Sequence, residues 1–189
     1  MRISKKVIAL MWAHEHMKET ICGCDHFFAI PKKKELRNIL ISGIVIAYTR
    51  SFVNGQGMSN ITGDYSKFSD PDMKTFHKKI CDARNFIYAH HDTFNEASIF
   101  DHTKPKEEIN RVIFCLDSGL DSEIKCSWEI EKSGLSDGSI EDIKKLAEFQ
   151  KQRMHTDLLN MLKHFIKENR PKPGKYCIAY DNCEFSYYK

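Results

Sequence analysis

Apolar residues recur at steps of three and four over most of the chain, the period of a helix that buries one face. From Ile3 to about Phe28 they are Val7, Leu10, Met11, Met17 and Ile21, with His14 and Lys18 between them on the same face. The spacing predicts a long first helix. Pro31 interrupts it, and from Lys33 the positions Leu36, Ile39, Leu40, Ile44, Ala47 and Tyr48 predict a second helix running to about Phe52.

Residues 54–71 are rich in Gly, Ser, Asn and Asp, which favour turns over a packed face, and predict a flexible connection. Asp70-Pro71 then reads as an N-cap followed by proline at the first helical position. Phe76, Ile80, Ala83 and Ile87 give the third helix its apolar stripe. His77, Arg84 and His91 are seven apart, which sets each about 20° from the next and to one side of that stripe, a polar line beside the core. His90 falls on another azimuth. It joins Arg84 at one phosphate if the helix ends or bends there, or if a second subunit contributes.

Two short β-branched and aromatic runs, Arg111–Leu116 and Ile124–Ile130, flank Asp117–Asp121 and predict a hairpin. Gly138-Ser139 opens the clearest helix, with Ser139 and Asp142 resembling a capping box. Its core face is Ile140, Ile143, Ala147, Met154, Leu158, Met161 and Phe165, and it stops before Pro171. The tail carries Tyr176, Tyr180, Phe185, Tyr187 and Tyr188, too aromatic for a disordered end. The expected organisation is one helical domain over 1–170, with a small β-hairpin insertion at about 111–131. An aromatic-rich tail over 171–189 packs on the domain or on a partner subunit.

Composition narrows this picture without changing it. A chain of 189 residues with 41% hydrophobic content can bury a real core in one unit. A net charge of +3 creates too weak a field for global polyanion binding, so a nucleic acid would have to bind locally. No run of 18 apolar residues and no signal-peptide pattern are present, which implies a cytoplasmic protein with no membrane partner. Seven scattered cysteines agree with a reducing compartment and free thiols.

The densest chemistry lies in Arg84-Asn85-Phe86-Ile87-Tyr88-Ala89-His90-His91-Asp92. Arginine recognises a phosphate through its planar fork, and histidine exchanges protons near neutrality, so neither needs a metal or cofactor. A structural role, with Arg84 ion-paired and a histidine at a helix end, is the plain alternative. Other constellations are weaker. Cys22-Gly23-Cys24-Asp25-His26 lacks a second paired knuckle for zinc, and His14-Glu15-His16 lacks the spacing that puts two histidines on one helix face. Asn54-Gly55-Gln56-Gly57 lacks the Gly-Lys-Ser/Thr of a phosphate loop. Lys32-Lys33-Lys34, Lys172 and Lys175 are solvated faces or, if RNA binds, its backbone track. Arg50 is either paired with an acidic residue to fix two helices or a second phosphate contact.

Phe76-His77, Ala83-Arg84-Asn85 and Ala89-His90-His91-Asp92 together resemble the signature of the HEPN superfamily, in its abortive-infection-like branch, where an Arg is followed by four to six residues and a His. Tyr48-Thr49-Arg50-Ser51-Phe52 resembles the aromatic-x-Arg-x-Phe phrase that closes the preceding helix in that branch. The likeness spans roughly residues 36–92.

The resemblance implies a mainly α, antiparallel helical bundle that dimerises so that two Arg/His motifs face one cleft. It implies metal-independent cleavage of RNA to 2′,3′-cyclic phosphate ends, in phage defence or a toxin–antitoxin setting with an antitoxin protein as a possible partner. Carried onto this chain, His90 takes the proton from the ribose 2′-OH, Arg84 holds the scissile phosphate, and Asn85 orients either group. His91 also fits the motif spacing, so the base is His90 or His91. Arg50, His77 and Tyr88 are the substrate-binding candidates, and no metal ligand is expected. Two places after His90 stands Asp92, where the toxin branch silenced by modification has a tyrosine, so that control is not expected. The alternative is a HEPN domain without catalysis that binds RNA, a nucleotide or a partner protein.

Overall fold

The computed structural model describes residues 3–52, 61–84, 110–118, 124–132, 136–171, 176–178 and 185–187, the strands by their backbone alone. Among these the chain is mainly helical. Helix α1 (Lys5–Ala29) starts where the Ser4 hydroxyl accepts the Val7 amide hydrogen at 3.3 Å. Its inward stripe is Leu10, Ala13, Met17, Thr20, Cys24 and Phe27, steps of three and four that keep one side of a helix facing the core. Helix α2 (Lys34–Thr49) ends three residues earlier than its apolar pattern suggests. The Phe52 amide bonds the Thr49 carbonyl at 2.9 Å in a tighter turn, and Phe52 still reaches the core.

The long helix α5 (Asp137–Asn169) and α2 both run antiparallel to α1. Against α2, Arg37 lies over the Phe27 ring at 4.4 Å, Gly23 faces Ile44, and Arg50 stands 3.9 Å from Glu19. Against α5, Asp25 pairs with Lys144 at 2.7 Å, and the His14 and His155 rings lie 5.7 Å apart. Ile3 and Val7 meet Phe165 at the far end. Helix α4 (Pro71–Ala83) packs on α2, and the space between these helices is filled by Met17, Ile44, Tyr48, Ile80, Ile143 and Met154, all at most 2% exposed. Each such side chain contributes about 1.5–3 kcal/mol on burial.

Gly23 sets the approach of α1 to α2. A Cβ there would stand 2.9 Å from Ile44 Cγ1, a carbon next to the branched Cβ that moves only by turning a buried side chain about χ1. Alanine in a helix interior gains about 1 kcal/mol over glycine, while overpacking costs about 1–3. Gly23→Ala is therefore expected to lower the urea unfolding midpoint, and a raised midpoint would show that the two helices can part freely.

Three expectations need correction. Residues 54–71 are not simply a flexible connection: Thr62–Tyr65 forms a short helix, α3, with Ile61 and Tyr65 buried. The Gln150 amide donates to the Tyr65 carbonyl at 2.7 Å, and the Tyr65 hydroxyl donates to Asp157 at 2.6 Å, so α5 holds this turn; residues 53–60 lie outside the described set. The N-cap of α5 is Ser136 rather than Ser139: the Ser136 hydroxyl accepts the Ser139 amide hydrogen at 3.1 Å, and Asp137 enters the first turn. Finally, the inward face of α4 is His77, Ile80 and Ala83, with Phe76 half-buried beside it, so His77 belongs to the core and not to a polar line next to it.

The backbones of β1 (Asn110–Ser118) and β2 (Ile124–Lys132) pair antiparallel, with Arg111 opposite Glu131 and Asp117 opposite Lys125. In the tail, β3 (Tyr176–Ile178) pairs with β4 (Phe185–Tyr187), Tyr176 opposite Tyr187. The side chains of all four strands, and so what the aromatic tail packs on, lie outside the described residues.

Candidate functional site

Helix α4 is fixed at its start by Asp70, whose carboxylate accepts the amide hydrogens of Asp72 at 2.8 Å and Met73 at 3.4 Å, with Pro71 supplying the helical φ. Two turns later His77 enters the core. Its Nδ1 shares a 2.8 Å hydrogen bond with the Tyr48 hydroxyl of α2, and its Nε2 stands 3.8 Å from the Cys81 thiol. Phe52 meets the imidazole edge-on with centroids 4.7 Å apart, and Phe68 closes another side at 5.1 Å.

This setting keeps every titratable member neutral. Burial lowers His77 to about 4. Burial, with help from the Asp82 carboxylate, pushes the Cys81 thiol up to about 12 against the opposing pull of Arg84. Burial likewise raises the Tyr48 phenol well above its ordinary value. A thiol this hard to ionise is not an activated nucleophile, and an imidazole this weakly basic, already bonded to Tyr48, is a poor proton acceptor. They are a hydrogen-bonded post between α2 and α4.

The same burial links stability to pH. Above about 6.5 the His77 imidazole is neutral in folded and unfolded chains alike; between about 6.5 and 4 only the unfolded chain takes the proton. Stability is therefore expected to fall as pH drops through that window, by at most about 1.4 kcal/mol per pH unit for one imidazole. His14 and His16, both lowered chiefly by burial, act in the same direction. Urea midpoints at several pH values, in wild type and His77→Gln, measure the His77 share. An unchanged pH dependence in His77→Gln would remove it.

Arg84 follows as the C-cap of α4, its amide bonding the Ile80 and Cys81 carbonyls, and its side chain is half-buried. It thus sits at the end of the helix that His77 anchors. Arg50 caps α2 and is 57% exposed, 3.9 Å from Glu19 of α1. Of the two roles open to it, the helix-fixing pair is present, although an exposed pair this long contributes about 0–1 kcal/mol. Ser51, next along, is held by His16, whose Nδ1 lies 3.1 Å from the serine hydroxyl. Asn85, Tyr88, His90 and His91 lie outside the described residues.

Several groups that shape this region escaped the sequence. Cys81, Phe68 and His16 carry no motif, and Phe68 closes on His77 across residues that read only as turn formers. His16 did have a signal: it sits three after Ala13 and four before Thr20, on the stripe that α1 buries. Because His16 turns to Ser51 while His14 turns to His155, the two flanking histidines of His14-Glu15-His16 do not converge. A cavity of about 220 Å³ opens elsewhere, between α1 and α3, lined by Lys6, Leu10, Ile61, Asp64 and Tyr65 among others, and no motif residue borders it. No described helix is long and apolar enough to cross a membrane.

No family model, curated protein or solved structure matches this chain. Its function has to be argued from its own residues.

Proposed function

We propose that the chain is a metal-independent endoribonuclease of the HEPN type, cleaving RNA to 2′,3′-cyclic phosphate ends. One observation supports this above the rest. The two phrases that carry the family likeness, Tyr48–Phe52 and the α4 segment leading to Arg84, meet in space through the Tyr48 hydroxyl and His77 at 2.8 Å. Two sequence phrases that resemble one family signature are thereby parts of one packed unit.

In the proposed reaction His90, or His91 in its place, accepts the proton of a ribose 2′-OH, and the freed oxygen attacks the adjacent phosphorus. The 5′-oxygen leaves as a hydroxyl, its proton supplied by water or by the imidazolium just formed, and the cyclic phosphate remains. Arg84 neutralises charge developing on the phosphate, and Asn85 orients the phosphate or the imidazole. RNA is required because the nucleophile is its own hydroxyl. Arg50 and Tyr88 are the groups left to hold the substrate, since His77 is occupied in the core. The reading places the protein in the cytoplasm, in phage defence or a toxin–antitoxin pair, as a homodimer whose motifs share a cleft.

The test is incubation of the purified chain with cellular RNA in excess chelator, beside folded Arg84→Ala and His90→Ala variants, with mapping of the 3′ ends. Cyclic-phosphate ends made by wild type alone support the proposal; no cleavage, or equal cleavage by all three, removes it. A HEPN domain without catalysis, binding RNA, a nucleotide or a protein, is the second reading. It is favoured by the engagement of Arg50 with Glu19 and of His77 with Tyr48, which draws two polar groups away from a substrate.

A further inference from the structure

Helices α1 and α5 meet in one register. Asp25 pairs with Lys144 at 2.7 Å, and eleven positions back along α1 and eleven forward along α5 the His14 and His155 rings stand 5.7 Å apart. On that register Lys18, four after His14, falls opposite Lys151, four before His155. The charges of His155, Lys151 and Lys18 all act on His14, in that order after its burial, and lower its hold on a proton. One turn near the middle of each helix thus brings four basic side chains to one place, His14 and Lys151 half-buried, Lys18 and His155 exposed.

Elsewhere on these helices bases are matched by acids: Lys144 bonds Asp25, Lys145 bonds Asp142, and His164 faces Glu168 at 3.1 Å. In this cluster the match fails. Glu15 is the carboxylate that bears on His14, and both its oxygens already accept from Lys18 at 2.9 Å. The charge of Glu148, in the next turn of α5, acts on Lys144 and Cys24. No carboxylate of the described residues bonds His14, Lys151 or His155. Like-charged side chains one turn apart destabilise a helix, and here α1 and α5 each carry such a pair, turned toward the other.

The chemistry that suits this arrangement is an oxyanion. A protonated imidazole donates from both ring nitrogens and an ammonium from three positions. Rings 5.7 Å apart are close enough to donate to two oxygens of one tetrahedral group. With Lys18 offset by Glu15, two imidazoles and one ammonium remain, a balance that favours a dianion over a singly charged diester.

We propose that His14, Lys18, Lys151 and His155 hold a doubly charged phosphate, free or at the end of a nucleotide chain, between α1 and α5. The site uses no residue of the proposed nuclease motif and does not depend on it.

The test is a titration of the full chain with inorganic phosphate at pH 7.5, at ionic strength held constant with sodium chloride, following the histidine ring proton resonances. The two signals missing from His14→Gln and His155→Gln are expected to move and saturate, with a Kd of about 1 mM or tighter. Lys151→Gln is expected to weaken binding about tenfold, the scale of one charge-assisted hydrogen bond, and Lys163→Gln on the same helix to leave it unchanged. Glu15→Gln releases Lys18 and is expected to tighten binding about threefold, whereas Glu141→Gln, the same change of charge farther along α5, is not. Glu15 is exposed, so this variant keeps the fold even if the half-buried Lys151 does not tolerate exchange. A deoxyribose oligomer has no 2′-hydroxyl to react and identifies the source: with a 5′-phosphate, tighter binding than inorganic phosphate assigns a chain end, and no tighter binding assigns the free anion. Signals that do not saturate, changes at Lys151 and Glu15 that match those at Lys163 and Glu141, or a tightly bound oligomer that loses nothing without its terminal phosphate would each overturn the proposal.

Discussion

RNA cleavage is expected to fall by about 10²–10⁴-fold in His90→Ala, the contribution of a positioned general base. In Arg84→Ala the expected fall is about 10²–10³-fold, that of one pre-set group facing developing charge. Arg84→Lys separates two contributions of the arginine, because lysine keeps the charge but loses the planar fork that matches a phosphate, and its activity should lie between wild type and alanine. The neighbouring fold should survive these changes. Arg84 lies at the end of α4, beyond the buried Ile80 and Ala83, so its truncation opens no large cavity. Initial rates in excess chelator, together with thermal unfolding of each variant, check both halves. If Arg84→Ala unfolds early while residual cleavage per folded molecule is unchanged, the residue is structural and the catalytic assignment fails.

His77 and His90 show why part of the site could be read from the chain and part could not. The start of α4 is a local matter: Asp70 and Pro71 act on residues next to them, so the sequence places the beginning of this helix correctly. His77 reads as polar in a helical pattern, whereas its side depends on a partner 29 positions away, the Tyr48 hydroxyl, and on Phe52 and Phe68 around it. A longer separation, 85 and 92 positions, hides the order of Thr62–Tyr65, whose composition favours turns but where Tyr65 bonds Gln150 and Asp157 on α5. Ser136 and Ser139 mark a third limit: two serines three apart can each cap a helix, and here the first accepts the amide hydrogen of the second. Arg50 suits two roles by its place in the sequence, and only the third dimension brings Glu19 beside it.

The link between the two motif phrases can be tested by stability alone, at Tyr48. Its side chain is fully buried against Phe52 and His77, so Tyr48→Ala is expected to cost about 3–5 kcal/mol, the range for removing a large aromatic from a core. Tyr48→Phe keeps the ring and removes only the hydroxyl, which bonds His77 and also has Gln150 as a partner. Leaving buried polar atoms without a partner costs about 1–3 kcal/mol, so the phenylalanine variant should recover roughly half of the loss or more. If the bond to His77 accounts for that cost, combining Tyr48→Phe with His77→Leu should cost less than the sum of the two single changes, because the second change removes the unsatisfied imidazole nitrogen. Urea unfolding of the four chains at pH 7.5 gives the coupling directly. A Tyr48→Phe variant as stable as wild type would mean that α2 and α4 are joined by packing alone, and the hydrogen bond would no longer connect the Tyr48–Phe52 phrase to the helix that carries Arg84.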